Sequence, residues 1–274
     1  MTKRQLVVKS NKVVEASYRL TLNEQRLILL CIAQIKKGQV VNRLDRFEVS
    51  ANEFAKVFNV GLDQAYRELQ QVAERLYERS VTIANPDPDD PRISYTKTRW
   101  ISSIDYLPNY GSVVLQFAHR MIPYISMLEG SFTMYRLESI SKMGSAYSIR
   151  LYELLMQWRE VGKREIALED LRNILQLEGR YSAIKDFKVR VLEPALRDIN
   201  EYSDLEASYT QRKAGRIVSH LIFHFKPKPN AKPMTNPKPK AKRITKAEIE
   251  KAARPGESYE EVKARLEEQL KLAL

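Results

Sequence analysis

Apolar positions recur in the same order in two segments that lie about 120 residues apart in the chain. The first segment, residues 47–58, reads FEVSANEFAKVF, and the second, residues 164–175, reads REIALEDLRNIL. The matched apolar pairs are Val49 with Ile166, Phe54 with Leu171, Val57 with Ile174, and Phe58 with Leu175. In each segment a short strand-like stretch leads into a helix start, and a longer helix and a hairpin with basic residues follow. This order predicts a helix-turn-helix with a wing, present twice.

An apolar scaffold helix precedes each copy. Thr21 and Glu24 form the capping-box pattern that opens the first, and we expect that helix to continue until Gly38. We expect the second to cover 137–160 and to end before Gly162. The predicted fold class is therefore α+β, with two tandem winged-helix domains.

Turn residues and alternation predict the remaining elements. In the first copy, Ser50 and Glu53 open a short helix that ends near Asn59, and Gly61 is expected to supply the turn. The elements expected after it are a recognition helix over 63–79 and strands over 81–84, 93–105 and 113–117, which form a long hairpin. In the second copy they are a turn at Gly179, a helix over 182–200, and strands over 204–210 and 217–225 around a basic tip.

Composition divides the chain into two folded parts and a C-terminal extension. We predict an N-terminal winged-helix domain over 1–130, a C-terminal one over 131–226, a basic proline-rich linker over 227–243 and a short helical tail over 244–274. The linker composition favours an extended polyproline-type conformation. The tail is either a partner-binding element or a weakly ordered terminus.

The excess positive charge is typical of a protein that binds nucleic acid. The formal net charge is +12, and residues 226–243 hold six Lys, one Arg and no acid. Such a segment attracts any polyanion, so sequence specificity must come from the folded part. The single cysteine, Cys31, lies in an apolar run, which excludes an internal disulfide and indicates a buried thiol. The sequence shows no signal peptide or membrane span, so we expect a soluble cytoplasmic protein.

The second copy offers most of the candidate DNA contacts, because a recognition helix enters the major groove with its first turns. Its candidates are Arg180, Ser182, Lys185, Lys188 and Arg190 on the turn and helix, with Arg212, Lys213 and Arg216 on the wing. Arg190 points away from the expected buried stripe and is the predicted guanine reader. Lys185 and the wing cations are expected to bind phosphates, and Lys188 lies close to the buried stripe. The alternative interpretation is a solvated charged face.

The first copy offers weaker candidates. They are Gln64, Arg67, Gln71 and Arg75 on its recognition helix, and Lys97 and Arg99 on its hairpin. Glu68 and Glu74 would oppose DNA phosphates at close range, so a protein–protein role for part of this copy is an equal alternative. We expect a secondary DNA contact here.

Sequence patterns for catalysis are lacking. The three histidines, His119, His220 and His224, do not form the His-hydrophobe-His metal pair of rolling-circle nucleases. No phosphate-binding loop, dinucleotide fingerprint or nucleophile elbow occurs among the nine glycines. We therefore predict a non-enzymatic protein without a cofactor or a metal.

Four stretches resemble plasmid replication initiators of the RepA/RepE type. They are LVVKSNKVVEA at 6–16, LTLNEQRL at 20–27, YSIRLYELL at 147–155 and DFKVRVLEPA at 186–195, and the resemblance extends over about 5–226. It implies two winged-helix domains that bind direct repeats (iterons) at a plasmid origin, with the second domain making the main groove contact.

The resemblance also implies the partners of a bacterial replication protein. Monomers would recruit the host initiator and helicase, whereas dimers formed through the first domain would bind an operator inverted repeat and repress the protein's own promoter. A chromosomal transcription regulator with the same fold and a nicking replication enzyme are the alternatives.

Overall fold

The computed structural model describes residues 5–231 and residue 262, apart from 37, 87–89, 91, 127, 129–130 and 230. Residues up to 233 form one compact unit that contains both copies of the repeat. The predicted tail, and the predicted linker beyond residue 231, lie outside the described residues except for residue 262.

An N-terminal arm and the first copy make up the first half of this unit. The arm contains β1 (Leu6–Ser10) and α1 (Asn11–Glu15). The first copy contains α2 (Leu22–Gln34), β2 (Phe47–Ser50), α3 (Ala51–Phe58), α4 (Leu62–Tyr77), β3 (Ser80–Ala84), β4 (Tyr95–Arg99), β5 (Ile101–Leu107) and β6 (Ser112–Phe117).

The second copy follows a connecting strand. The elements are β7 (Phe132–Arg136), α5 (Ala146–Met156), β8 (Lys163–Ala167), α6 (Leu168–Ile174), α7 (Ile184–Phe187), a π-helical segment (Lys188–Leu192), α8 (Glu193–Tyr202), β9 (Leu205–Ala214) and β10 (Ile217–Pro227).

The two copies have the same sheet topology, and this confirms the predicted repeat. The strand order is β2-β6-β5 in the first copy and β8-β10-β9 in the second, with antiparallel pairing throughout. The matched residues Val49 and Ile166 occupy corresponding places, because Val49 pairs with Val113 and Ile166 with Leu221. Each copy is a winged helix with its wing formed by the last two strands.

The long hairpin predicted for the first copy is divided in two, so the single strand expected over 93–105 is wrong. β4 pairs with β3 in a separate two-stranded sheet, whereas β5 joins β6. The break is at Trp100, whose side chain is fully buried and lies edge-on to Tyr18 with ring centroids 4.9 Å apart. Burial of this indole at the junction separates the two ladders.

The scaffold helices are shorter than predicted. The Thr21–Glu24 capping box is confirmed, but α2 ends at Gln34 because Ile35 is extended, and Gly38 lies in a left-handed turn (φ +77°) after it. Helix α5 begins at Ala146 rather than near residue 137. Its start is set by the Ser145 cap, whose hydroxyl oxygen accepts a hydrogen bond from the backbone N–H of Tyr147.

The predicted turn residue of the first helix-turn-helix is also different. Helix α3 ends at Asn59, which adopts the left-handed conformation (φ +52°), while Gly61 has an ordinary negative φ and precedes α4. Asparagine tolerates this conformation better than most residues. The turn therefore depends on Asn59. Helix α4 packs through Ala65, Leu69, Val72 and Leu76, which recur at helical spacing and are all buried.

A buried charge cluster connects the arm to the second copy. The ammonium nitrogen of Lys9 on β1 lies 2.5 Å from a carboxylate oxygen of Glu153 on α5, and neither side chain is more than 1% exposed. The Tyr135 hydroxyl on β7 donates a hydrogen bond to the same carboxylate oxygen. Burial, with the neighbouring Glu153 carboxylate as the second cause, raises the pKa of Tyr135 well above its usual value, so the hydroxyl stays protonated.

Arginines extend this connection. The Arg150 guanidinium stacks on the Tyr18 ring at 3.7 Å from its centroid and donates to the Ala16 carbonyl oxygen at 2.7 Å. Arg164 on β8 donates to the Glu15 carboxylate, also at 2.7 Å. Strand β1 pairs with β7, so the arm completes a sheet with a strand beyond residue 130. The boundary at residues 130–131 stays a prediction.

Replacement of one partner of the buried pair is expected to destabilise the protein strongly. Lys9→Met removes the nearer of the two cations beside the buried Glu153 carboxylate, the other being Arg150 at 3.7 Å. Loss of one partner of a buried ion pair costs about 3–5 kcal/mol in the free energy of unfolding. Urea denaturation followed by circular dichroism measures this loss. Lys9→Met combined with Glu153→Gln should recover at least half of it, and Lys226→Met, which breaks the exposed pair with Glu206, should change stability by less than about 0.5 kcal/mol. A Lys9→Met protein as stable as wild type contradicts the assignment.

Candidate nucleic-acid interface

The turn of the second helix-turn-helix is tightly fixed. Gln176, Gly179 and Tyr181 all adopt positive φ, at +47°, +68° and +51°, so the predicted turn at Gly179 is observed as part of a longer left-handed path. Arg172 on α6 donates to the Ser182 carbonyl oxygen at 3.1 Å, and its guanidinium carbon lies 5.1 Å from the Phe187 ring centroid. These contacts hold the start of the recognition helix against α6.

The recognition helix is not the uniform helix predicted over 182–200. It begins at Ile184, passes through the π-helical segment and continues as α8 to Tyr202. The physical reason is Pro194, which has no N–H for the Arg190 carbonyl and would clash with it in a regular α-helix. A proline inside the predicted helix was the sequence signal for this irregularity.

The wider π turn keeps the buried stripe in phase. The buried residues Phe187, Val191, Ala195 and Ile199 recur every four positions, whereas a regular α-helix has 3.6 residues per turn. Ile184, three residues before Phe187, lies at the edge of this stripe and is only half-buried. The face opposite the stripe therefore keeps a constant direction along the whole recognition helix.

The cations of the recognition helix differ in availability. Lys185 and Arg190 are exposed, and neither forms an ion pair or hydrogen bond with another described residue. The Lys188 ammonium instead donates to the side-chain oxygen of Gln211 on β9 at 2.6 Å and lies 6.0 Å from the Tyr209 ring centroid. Lys188 thus connects the helix to the wing, which the sequence did not predict. Ser182 is exposed at the start of the helix.

The wing carries exposed cations at its tip. Strands β9 and β10 pair as far as Ala214 and Ile217, with Gly215 (φ +63°) in the turn. Lys213 and Arg216 are exposed, whereas Arg212 forms an ion pair with Glu165 on β8 at 2.7 Å. Glu165 is a residue that sequence reasoning missed, because its proximity to Arg212 depends on the registers of two strand pairs.

Arg180 faces the scaffold helix rather than the recognition surface. Its guanidinium donates to the hydroxyls of Tyr147 on α5 and of Tyr181, at 3.4 and 3.3 Å, and it is half-buried.

On the recognition helix of the first copy, several of the polar and charged side chains are already paired within the protein. Gln64 and Asn23 both donate to the Glu68 carboxylate, at 3.1 and 3.2 Å. Arg75 lies 3.5 Å from the buried Glu24 carboxylate, which is also paired with Arg79. Of the predicted contacts on this helix, Arg67 and Gln71 are exposed and make no ion pair or hydrogen bond within the described part of the chain.

The predicted wing cations of the first copy do not lie on its wing. Lys97 and Arg99 are on β4, which pairs with β3 in a separate sheet, because the predicted strand is interrupted at Trp100. Arg99 is 3.1 Å from the Glu78 carboxylate and stacks on Tyr77. The turn between β5 and β6 is Pro108–Tyr110 followed by Gly111, which carries no charge. The placement of Lys97 and Arg99 on a wing hairpin was therefore wrong.

Metal sites and membrane spans were sought among the described residues. Within that part of the chain no group of three His, Cys, Asp or Glu side chains could hold a metal ion. None of the helices formed by these residues is both long enough and apolar enough to cross a bilayer.

Comparisons with known proteins match both copies. A family model described as initiator replication protein, WH1, matches residues 6–156, and one described as initiator Rep protein, WH2, matches residues 167–225. A replication initiation protein of Escherichia coli is 29% identical over 225 residues, which cover 80% of this chain and 68% of that protein. The PI protein of Escherichia coli is 24% identical over 245 residues, covering 78% and 80% of the two chains.

A solved structure has the same architecture. The crystal structure of the Pi initiator protein in complex with iteron DNA superposes with a TM-score of 0.71 at 22% identity and covers 84% of this chain and all (100%) of that one. The tandem winged-helix fold is thus confirmed.

Removal of the acid beside the wing should strengthen DNA binding. Glu165→Gln releases Arg212 and removes a negative charge from the predicted phosphate-facing surface. We expect duplex DNA to bind about two- to fivefold more tightly in fluorescence anisotropy at low salt. Glu201→Gln, an equally conservative change at an exposed site on α8, is the control and should have no effect. Weaker binding by Glu165→Gln would contradict the predicted orientation of the wing.

Proposed function

This chain belongs to the family of initiator replication proteins with two winged-helix domains, and we propose that it initiates plasmid replication by binding repeated sequences (iterons) at the origin. The observation that carries the proposal is the pair of free cations, Lys185 and Arg190, on the recognition helix beside a wing with an exposed basic tip. Side chains on a recognition helix read base edges, and wing cations bind phosphates. The Pi protein, which has this architecture, was crystallised with iteron DNA.

We propose that the two copies have different roles in DNA binding. The second copy reads the sequence through Arg190, with Lys185, Ser182, Lys213 and Arg216 as additional contacts, and Arg212 joins them once it is released from Glu165. The first copy makes a weaker contact through Arg67 and Gln71, because Gln64, Arg75 and Arg99 are held by carboxylates within the protein. The remaining candidate, Lys97, lies on β4 in a separate sheet. Unequal readers of this kind suit direct repeats, where each site is asymmetric.

Assembly with other proteins completes the proposal. Monomers recruit the host replication initiator and helicase to the origin in the bacterial cytoplasm, whereas dimers formed through the first copy repress the protein's own promoter. The protein acts by binding alone, without catalysis, a metal or a cofactor.

A footprint on the DNA that flanks the gene tests the function. The proposal expects protection of several direct repeats of about 20 base pairs, each spanning adjacent major grooves. Protection of a single palindrome alone would favour a transcription regulator. Metal-dependent nicking of a supercoiled origin plasmid would favour a nicking enzyme.

The guanine reader can be tested by one substitution. Arg190→Ala removes the proposed base contact, so we expect the preference for iteron over random duplex to fall by about 1–3 kcal/mol in competition binding. Arg197→Ala, which removes an exposed arginine from α8 one and a half to two turns further on, is the matched control and should keep the preference. Unchanged discrimination by the Arg190 variant would overturn this assignment.

The basic extension is expected to add affinity without specificity. Truncation should follow residue 231, because Lys228 donates to the carbonyl oxygens of Asn200 and Ser203 and belongs to the folded part. The truncated protein should bind DNA more weakly and with a shallower dependence on salt, but with the same footprint. A full-length variant with the five basic residues of 232–243 changed to Gln separates charge from the remaining tail and should behave in the same way. An altered footprint would contradict the expectation.

A further inference from the structure

A cleft of about 410 Å³ lies between the two copies. One wall comes from the segment that leads into α2, the first turn of α2 and Arg79, which lies two residues after α4. The other comes from the start of α5, the end of α6 and the turn before α7. Its volume falls within the range of small-molecule sites.

The cleft is lined by four arginines, namely Arg19, Arg79, Arg150 and Arg180. Its described lining contains no acidic side chain. Arg79 and Arg150 are paired with Glu24 and Glu153, at 3.0 and 3.7 Å. Arg19 and Arg180 have no carboxylate partner among the described residues, and Arg180 is held in place by Tyr147. The cleft therefore has an excess of positive charge from both copies.

Unpartnered buried polar atoms make this cleft different from a basic surface. Gln25, on α2, lines it and is only 2% exposed, yet neither its side-chain nitrogen nor its oxygen has a hydrogen-bond partner within the described part of the chain. The Nε atom of Arg150 is also buried without a hydrogen-bond partner among the described residues. Buried amides and guanidinium groups are almost always hydrogen-bonded, because burial without a partner costs free energy. These atoms are closed to solvent, so a ligand that offers both an acceptor and a donor satisfies them once the Gln25 and Arg150 side chains turn toward the cleft.

We propose that this cleft binds a small phosphate ester of up to nucleotide size. The arginines fit the phosphate, since guanidinium groups make paired, charge-assisted hydrogen bonds with phosphate oxygens. Gln25 supplies the donor and acceptor for the organic part of the ligand.

A small ligand fits better than the backbone of a DNA duplex. Four lining residues are no more than 4% exposed, namely Tyr18, Gln25, Arg150 and Leu175. A duplex phosphate contacts side chains at the protein surface, whereas these side chains lie in the wall of the cleft and are almost closed to solvent. Because both copies line it, an occupant stabilises this arrangement of the two copies by mass action.

Titration of the full-length protein, without DNA, tests the proposal. The probes are inorganic phosphate, pyrophosphate, AMP, ADP and ATP in low-salt buffer, measured by isothermal titration calorimetry and by the shift in melting temperature. We expect at least one nucleotide to bind with a dissociation constant below about 1 mM and to raise the melting temperature. Tighter binding of nucleotides than of inorganic phosphate would support the role of Gln25.

Two variants and a control locate the site. Gln25→Leu removes both amide groups at nearly constant volume, and Arg19→Ser removes an exposed cation; each should weaken binding about tenfold. Arg120→Ser, an exposed arginine outside the cleft, should leave it unchanged. Arg19→Ser keeps the test valid if Gln25→Leu fails to fold.

Three results would overturn the proposal. The first is the absence of binding by every probe, and the second is binding that neither cleft variant weakens relative to the control. The third is competition by DNA: a random duplex displaces the nucleotide, and Arg19→Ser weakens the binding of the duplex as much as it weakens the binding of the nucleotide. That result would make the cleft a DNA contact. None of these measurements depends on iteron binding, so the proposed function stands or falls separately.

Discussion

The buried carboxylate of Glu153 is the point on which the arrangement of the two copies depends. It accepts contacts from Lys9 on the N-terminal arm and from Tyr135 on the connecting strand, while Arg150, one helical turn earlier, holds the arm through Tyr18 and Ala16. A charge without access to water is tolerated only when all its partners are in place. Because these partners come from three parts of the chain, the arm, the connecting strand and the scaffold helix of the second copy can fold stably only together.

Ion pairs within the protein also distinguish the cations of the two copies. The first copy uses its cations within the protein: Arg75 and Arg79 face Glu24, and Arg99 faces Glu78. The second copy leaves Lys185 and Arg190 unpaired and places its wing beside them through the hydrogen bond from Lys188 to Gln211. The two copies therefore share an architecture but differ in charge, because the first copy pairs its cations with carboxylates and has an uncharged wing turn, whereas the second has a basic wing tip.

The region between the two copies contains both tight contacts and buried polar groups without hydrogen-bond partners among the described residues. Tyr18 and Arg150 belong both to the contacts that fix the arm and to the lining of the cleft. The residues that hold the copies together thus also shape a positively charged space between them. An anion there would act on the same contacts that hold the two copies together.

Local patterns were enough to predict the repeated apolar positions, the α2 capping box and the basic tip of the second wing, because each depends on neighbours within a few turns or strands. The resemblance of four stretches to plasmid initiators identified the family. Three features could not be predicted from the sequence: the split of the predicted hairpin at Trp100, the pairing of Glu165 with Arg212, and the contact of Lys9 with Glu153. These contacts join residues that are distant in the chain, and strand register and burial, which no local pattern encodes, decide which charges pair and which stay unpaired.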